Sequence, residues 1–340
     1  MGVQLGQIIT PKEIPLESLK GKRLALDAYN MLYQFLATIR QPDGQPLTGS
    51  GGEVTAHLVG LLYRTTSLLV NGIRPVYAFD GKPSPLKVTT IKARAMVKER
   101  AHREWEAALA AGDLATAKKK AAQTSRLTES MVTDAKELLD ALGVPWVQAA
   151  SEGEAQAALM AKRGEVWAAA SEDYDTLLFG SPRLLRGLAA LKTTGRDQGT
   201  VRVLSSEDVL KELGLTLDEF IVMCLLIGTD FNEGFPGIGP KKALKLAQQH
   251  LGFEATIEKV GGDPAALREV VELFTHPPSA ADYTLAWKRP EAERVLRVLV
   301  EKHGFEESRV VRVVDKLSTV DLGSEPKPTQ LALDDFGGAA

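Results

Sequence analysis

Four short apolar runs in this chain each lead into carboxylates, and that pattern leaves few folds open. "RLALD" (23–27) ends in Asp27, "PVYAFD" (75–80) ends in Asp80, and "VWAAA" (166–170) passes through Ser171 and Glu172 to Asp173. The fourth, "VPWVQ" (144–148), runs into "AASEGEA", which holds Glu152 and Glu154. Runs of this length, bounded by turn or cap residues, read as buried strands. Helical patterns fall at 30–40, 54–71, 131–142, 153–163, 207–213 and 217–227. Strands alternating with helices predict an α/β fold with a mostly parallel central sheet flanked by helices. Ligands of such sheets bind outside the carboxyl ends of the strands, so these acids are expected around one crevice. Asp230, closing "LLIGTD", is a further candidate.

Each acid also has a plainer local reading. Ser151-x-x-Glu154 fits a capping box. Asp27 or Asp80, taken singly, fits a strand-end turn or a helix N-cap. Glu172 reads as a solvated or capping acid. One metal site accounts for the set at once, because clustered carboxylates repel unless cations compensate. The candidate ligands are all oxygens, and none of the five histidines stands at metal-ligand spacing, which suits Mg²⁺ or Mn²⁺ rather than zinc. Such a cluster best serves in-line displacement at a phosphate, with two metals assisting attack and departure. In extended chain, Asp173 and Asp175 at i, i+2 would point the same way, toward one metal centre.

Seven acids around two divalent ions still repel a phosphate, so cations are needed nearby. Residues 82–126 supply them: eleven lysines and arginines against four acids, a net of +7 in a chain whose total is −3. That segment is helix-forming but poorly amphipathic. Lys87 and Arg94 lie on one helical face (i, i+7), able to reach the same phosphate, although an ordinary solvated basic helix would look alike. Farther on, "GFPGIGPKKALKLAQQHLG" (234–252) puts a tight Gly237-Ile238-Gly239-Pro240 turn before Lys241, Lys242 and Lys245. It fails the P-loop pattern. Free N–H groups and lysines at such a helix start would hold a nucleic-acid phosphate without reading sequence, and a simple helix–helix turn is the alternative. The lone Cys224 permits no disulfide framework, and the apolar runs are too short to span a bilayer. With no signal-peptide pattern at "MGVQLG", a soluble intracellular protein is expected.

The segments "LDAYNMLYQFL", "VYAFDGKPSPLK", "SEGEAQAALMAKRGEVWAAASEDYDTLLFGSP", "LLIGTDFNEGFPGIGPKKA" and "TQLALDDF" resemble the flap endonucleases of archaea and eukaryotes, within the structure-specific 5′-nuclease superfamily. They occur in family order across essentially the whole chain. The resemblance implies a PIN-like nuclease domain over 1–322, with 82–130 inserted as a helical arch and 228–252 as a helix-two-turn-helix, then a flexible tail over 323–340. It implies a Mg²⁺-dependent enzyme, with Mn²⁺ as a substitute, that removes 5′ flaps in Okazaki-fragment maturation and base-excision repair, with an associated 5′→3′ exonuclease activity.

Carried over residue by residue, the family's seven metal-binding carboxylates fall on Asp27, Asp80, Glu152, Glu154, Asp173, Asp175 and Asp230. Asp173 and Asp175 are the sharpest of these catalytic candidates. The catalytic basic pair falls on Lys87 and Arg94. The substrate-facing aromatic falls on Tyr33, which by pattern alone reads as a core aromatic, and a DNA-contacting arginine falls on Arg40. Gly2 matches the processed N-terminus near the active site. Glu152, Gly228, Asp230, Gly237, Gly239, Lys241 and Lys242 fall within the DNA-binding surface, where K⁺ is expected at the helix-two-turn-helix. Gln330, Leu333 and Phe336 fit the family's sliding-clamp motif, but Gly337 replaces a second aromatic, which predicts a weaker clamp contact. The partners implied are branched DNA with a 5′ flap and the clamp, and the nuclease is expected to be monomeric, without membrane attachment. The missing basic C-terminal extension favours an archaeal source and a nucleoid location. Rival readings are a 5′→3′ exonuclease or junction-resolving enzyme, a small-molecule phosphohydrolase, and a non-catalytic clamp-tethered DNA-binding module; the last predicts missing carboxylates.

Overall fold

The computed structural model describes residues 3–41, 43–191 and 199–320. Among them the strands are β1 Lys12–Pro15, β2 Arg23–Asp27, β3 Arg74–Phe79, β4 Trp146–Gln148, β5 Ala168–Ala170, β6 Arg183–Arg186 and β7 Thr200–Ser205. They form one sheet of order β1-β7-β6-β5-β2-β3-β4. The four expected strands are β2 to β5, all parallel, and β6 extends the parallel set. Two strands the sequence did not suggest make the sheet mixed: β7 runs antiparallel to β6, and β1 antiparallel to β7 at the edge.

The chain steps outward from β2 to β3 to β4, then returns to the other side of β2 to form β5. The reversal between β2 and β5 is the topological switch point, where an open α/β sheet leaves a crevice at its strand ends.

The helices are α1 Ala28–Thr38, α2 Ala56–Val70, α3 Val88–Ala110, α4 Leu114–Ala121, α5 Glu129–Ala141, α6 Gly153–Lys162, α7 Asp175–Leu178, α8 Ser206–Leu213, α9 Leu217–Ile227, α10 Pro240–Ala247, α11 Phe253–Lys259, α12 Pro264–Thr275, α13 Ala292–Leu296 and α14 Glu307–Ser318. Alternation along the strands separates two kinds of surface. Leu24, Leu26, Tyr77 and Phe79 face a large core closed by α1, α2, α5 and α14. Ala25, Val76, Ala78 and Ala169 face α6, whose Ala157, Met160 and Ala161 complete a thinner layer. Small side chains on that face let α6 come close. A Cβ on Gly153, at the helix start, would lie 2.7 Å from the Ala78 carbonyl oxygen. A third core gathers α9, α10 and α12 around Phe179, Phe231 and Phe274.

Helix α3 is different in kind. It runs for 23 residues, yet only Ala101 and Ala108 are buried. Met96 is 68% exposed and Val97 58%. It leans instead on α4, partly through Glu104, which pairs with Lys120 and with Arg100. A helix with no core behind it explains the weak amphipathicity read from the sequence.

Candidate active site

Asp27 ends β2 and caps α1, accepting the Asn30 N–H at 3.0 Å, so its capping role and its place in the crevice coexist. Its other oxygen accepts the Ser171 hydroxyl at 3.3 Å, across the switch point. Asp80 follows β3 and accepts the Gly153 N–H at 2.7 Å. Glu152 occupies the N-cap position of α6 but makes no side-chain cap bond; its carboxylate takes the ammonium of Lys87 instead. The capping box expected of Ser151 and Glu154 does not form. Glu154 is buried, and its Oε2 has no hydrogen-bond partner.

The extended geometry expected for Asp173 and Asp175 is also corrected. Tyr174 has helical backbone angles, φ −73° and ψ −15°, and Asp175 opens the single turn of α7. The two acids share a site because the chain bends, and the bend is held by Ser171 Oγ accepting the Asp173 N–H at 3.2 Å. Asp175 is fully buried; Oδ1 accepts the Val3 N–H at 2.8 Å, and Oδ2 has no hydrogen-bond partner. Asp230 stands just beyond α9, where Gly228 takes φ +105° and Gly234 φ +74°. A Cβ on Gly234 would lie 2.4 Å from the Ile227 carbonyl oxygen, so glycine is required for this loop to fold back on itself.

Lys87 and Arg94 converge on these acids from the base of α3. Lys87 pairs with Glu152 and lies 3.6 Å from Asp230; Arg94 Nη2 reaches both Asp230 oxygens, at 2.5 and 2.6 Å. Thr90 Oγ1, one turn along, donates to the Asp230 carbonyl at 2.7 Å.

The electrostatics record a crowded, desolvated cluster. Burial, with Asp80 nearby, pushes Asp27 up to about 8. Burial and Glu152 raise Asp80 to about 6, and burial and Asp230 raise Asp175 to about 7. Glu154 lies well above the usual carboxylate range, through burial and then Asp175 and Asp173. Burial alone would lower Lys87, but Glu152 and Glu154 outweigh it and hold the ammonium above its ordinary value. These neighbours tie all seven expected acids into one cluster.

The donor set fits a hard divalent cation. The side chains offer only oxygens, two of which, Glu154 Oε2 and Asp175 Oδ2, are buried without a hydrogen-bond donor. Among the described residues no group of three or more His, Cys, Asp or Glu side chains is already arranged to hold an ion outright. The cluster is instead partly neutralised by Lys87 and Arg94.

The remaining expected positions are spread more widely. Tyr33 is half-buried on α1, with Lys98 Nζ 4.3 Å above its ring. Arg40 bonds the Gly44 carbonyl and Ser125 Oγ, both at 2.9 Å, so it fastens the end of α1 to the far end of the basic segment. Gly237, at φ +74°, turns the chain into Gly239, the N-cap of α10, beyond which Lys241 and Lys242 are exposed. Gly2, Gln330, Leu333 and Phe336 lie outside the described residues.

Four contributors were not read from the sequence. Gly153 and Thr90 each act through one hydrogen bond and Ser171 through two, all created only by the fold, although Gly between two acids in "EGE" was a usable signal. Glu172, read as a solvated or capping acid, accepts the Gly187 N–H and faces Arg186 and Arg202.

Profiles of known families place this architecture in the XPG class of nucleases: the XPG N-terminal domain matches residues 1–101 and the XPG I-region residues 143–230. Flap endonuclease 1 of Aeropyrum pernix is 46% identical over 330 residues, 93% of this chain and 94% of its own. The solved structure of flap endonuclease-1 from Methanococcus jannaschii is 40% identical, with a TM-score of 0.75 over 94% of this chain and 98% of its own. The chain belongs to the flap endonuclease 1 family. The catalytic core of Rad2 in complex with DNA substrate shares the fold at 23% identity and a TM-score of 0.69, over 90% of this chain and 96% of its own.

Proposed function

We propose that this chain is a metal-dependent, structure-specific nuclease that hydrolyses DNA phosphodiesters at 5′-flap junctions, in replication and repair. Family membership supports the activity. The observation that carries the chemistry is the pair of buried, undonated oxygens on Glu154 and Asp175, in an acid cluster that Lys87 and Arg94 enter through Glu152 and Asp230.

Asp27, Asp80, Glu152, Glu154, Asp173, Asp175 and Asp230 would hold two Mg²⁺ ions, with Mn²⁺ as a substitute. Bound there, such ions polarise the phosphate and activate water. The chain's own residues do the rest. Lys87 and Arg94, now paired with Glu152 and Asp230, would serve the scissile phosphate, where they offset the charge that develops on its oxygens. Tyr33 offers a ring face to an unpaired base, a position now covered by Lys98. The exposed base of α3 and the length of basic chain through Arg126 support a helical arch over 82–130 that receives the free 5′ strand.

Residues 228–252 supply the duplex grip, with Gly228, Gly237 and Gly239 shaping the turns and Lys241 and Lys242 meeting backbone phosphates; K⁺ would be held at the same turns. Arg40 acts beside the arch. We assign 1–322 to one nuclease domain acting as a monomer on branched DNA, and 323–340 to a tail that docks on a sliding clamp through Gln330, Leu333 and Phe336, weakened by Gly337. Archaeal relatives support an archaeal nucleoid setting. No helix among the described residues is long and apolar enough to cross a membrane.

The test is cleavage of 5′-flap, gapped and four-way DNA with and without Mg²⁺. Flaps should be cut only with metal, leaving a 5′-phosphate and a 3′-hydroxyl, and Asp173→Ala should stop cleavage while flap binding persists. Inactivity on flaps beside robust cutting of another structure would overturn the reading.

A further inference from the structure

From Ser171 to Asp175 the side chains divide between two environments. Asp173 and Asp175 belong to the acid crevice, whereas Glu172 and Tyr174 turn toward β6 and β7. Glu172 Oε1 accepts the Gly187 N–H, just past β6. Its Oε2 lies 3.6 Å from Arg186 Nη2 and 3.5 Å from Arg202 Nη2. Arg186 and Arg202 are register partners on adjacent strands, so Glu172 stands against two like charges that would otherwise face each other across the ladder. The Arg186 guanidinium also lies 4.0 Å from the centre of the Tyr174 ring. The turn is thereby held by its even-numbered side chains, and the Glu172 side chain is only 28% exposed.

We infer that Glu172 is a positioning residue: by anchoring the turn to the Gly187 N–H and the Arg186–Arg202 pair, it aims Asp173 and Asp175 at the metal centre. This rests on the reading of those two acids as metal ligands. The anchor is the oxygen held at the right reach, with the charge serving the arginines. Groups that orient ligands in this way change metal affinity or activity by about 10- to 100-fold when removed.

The two requirements, reach and charge, separate in conservative variants. Glu172→Gln keeps an oxygen at the same length and loses the charge; Glu172→Asp keeps the charge and withdraws it by one methylene. We expect Glu172→Gln to bind Mn²⁺ much as the parent does, measured by electron paramagnetic resonance without DNA. Glu172→Asp and Glu172→Ala should bind it about tenfold or more weakly, and should need correspondingly more Mg²⁺ for half-maximal flap cleavage. Flap binding with metal chelated should stay unchanged, which a general loss of structure would not allow. Equal Mn²⁺ affinity in all the variants, or retention in Glu172→Asp with loss in Glu172→Gln, would overturn the assignment. Should Glu172→Ala not fold, the Gln and Asp variants decide it. Asp173→Ala serves as the reference: if it binds Mn²⁺ like the parent, the ligand assignment itself falls, a failure distinct from that of Glu172.

Discussion

Arg94 places one guanidinium nitrogen between both oxygens of Asp230, at 2.5 and 2.6 Å, joining the base of α3 to the loop after α9. Lys87 makes a parallel link from Glu152 toward Asp230. On the proposed mechanism, the cations that would meet a phosphate thus rest on the acids that would hold metal.

Arg94→Ala should therefore lose cleavage far more than binding. Removing one preorganised donor to a developing charge costs on the order of 10²-fold in rate. Single-turnover cleavage of a 5′ flap should show that drop at saturating Mg²⁺, with flap affinity within a few-fold of the parent. An unchanged rate would remove Arg94 from the chemistry.

Stability should depend on pH in a direction set by the acids. Asp27, Asp80 and Asp175 sit at about 8, 6 and 7 in the fold, mainly through burial, against about 4 in an unfolded chain. Between those limits these three acids bind more protons in the folded chain than in the unfolded one, so their contribution to stability is full below about pH 4 and is lost as pH rises through about 6 to 8. Metal-free melting temperature should fall from pH 5 to pH 8.5, and added Mg²⁺ should restore it most at the higher pH, because binding expels protons. Asp175→Asn, which keeps an acceptor for Val3, should flatten the profile. A melting temperature that rises with pH in chelator would contradict this account.

Gly153→Ala should damage the site without replacing an acid. The new Cβ would stand 2.7 Å from the Ala78 carbonyl oxygen and 2.9 Å from Asp80 Oδ1, forcing α6 away from β3. Glu152 and Glu154 would move with it. A cost of about 1–3 kcal/mol, typical of overpacking, should appear in denaturant unfolding, together with weaker Mn²⁺ binding. Parent-like values in both measurements would show that the contact is slack.

Lys241→Ala and Lys242→Ala should weaken binding to all duplexes alike. Each lost phosphate contact lowers the slope of log affinity against log salt by about 1. Titrations of flap DNA at several salt concentrations give the slope directly. A slope that does not change would mean that these exposed lysines face away from the DNA.

The parts legible in the sequence were those governed by short-range pattern. Strands β2 and β3 are buried on both faces, so each reads as an unbroken apolar run, and the acids follow where the pattern stops. Of the three strands that escaped notice, β1, β6 and β7, the first two, "KEIP" and "RLLR", are short and rich in charge. Asp173 and Asp175 were proposed to share a site through an extended geometry that the fold does not use, since nothing local announces that Tyr174 turns helical. Glu172 looked idle because its partners, Gly187 and Arg202, are brought to it only by β6 and β7.

The return from β4 to β5 also bears on how the protein comes into being. Asp27 is made early in synthesis and Asp230 much later, and the strands between them must pair before the acids meet. Contacts this remote in sequence form slowly, after local helices. A nascent chain that has made β2, α1 and β3 therefore still lacks most of the carboxylates proposed to hold metal. On the proposed reading, competence arrives with the loop after α9, which brings Asp230.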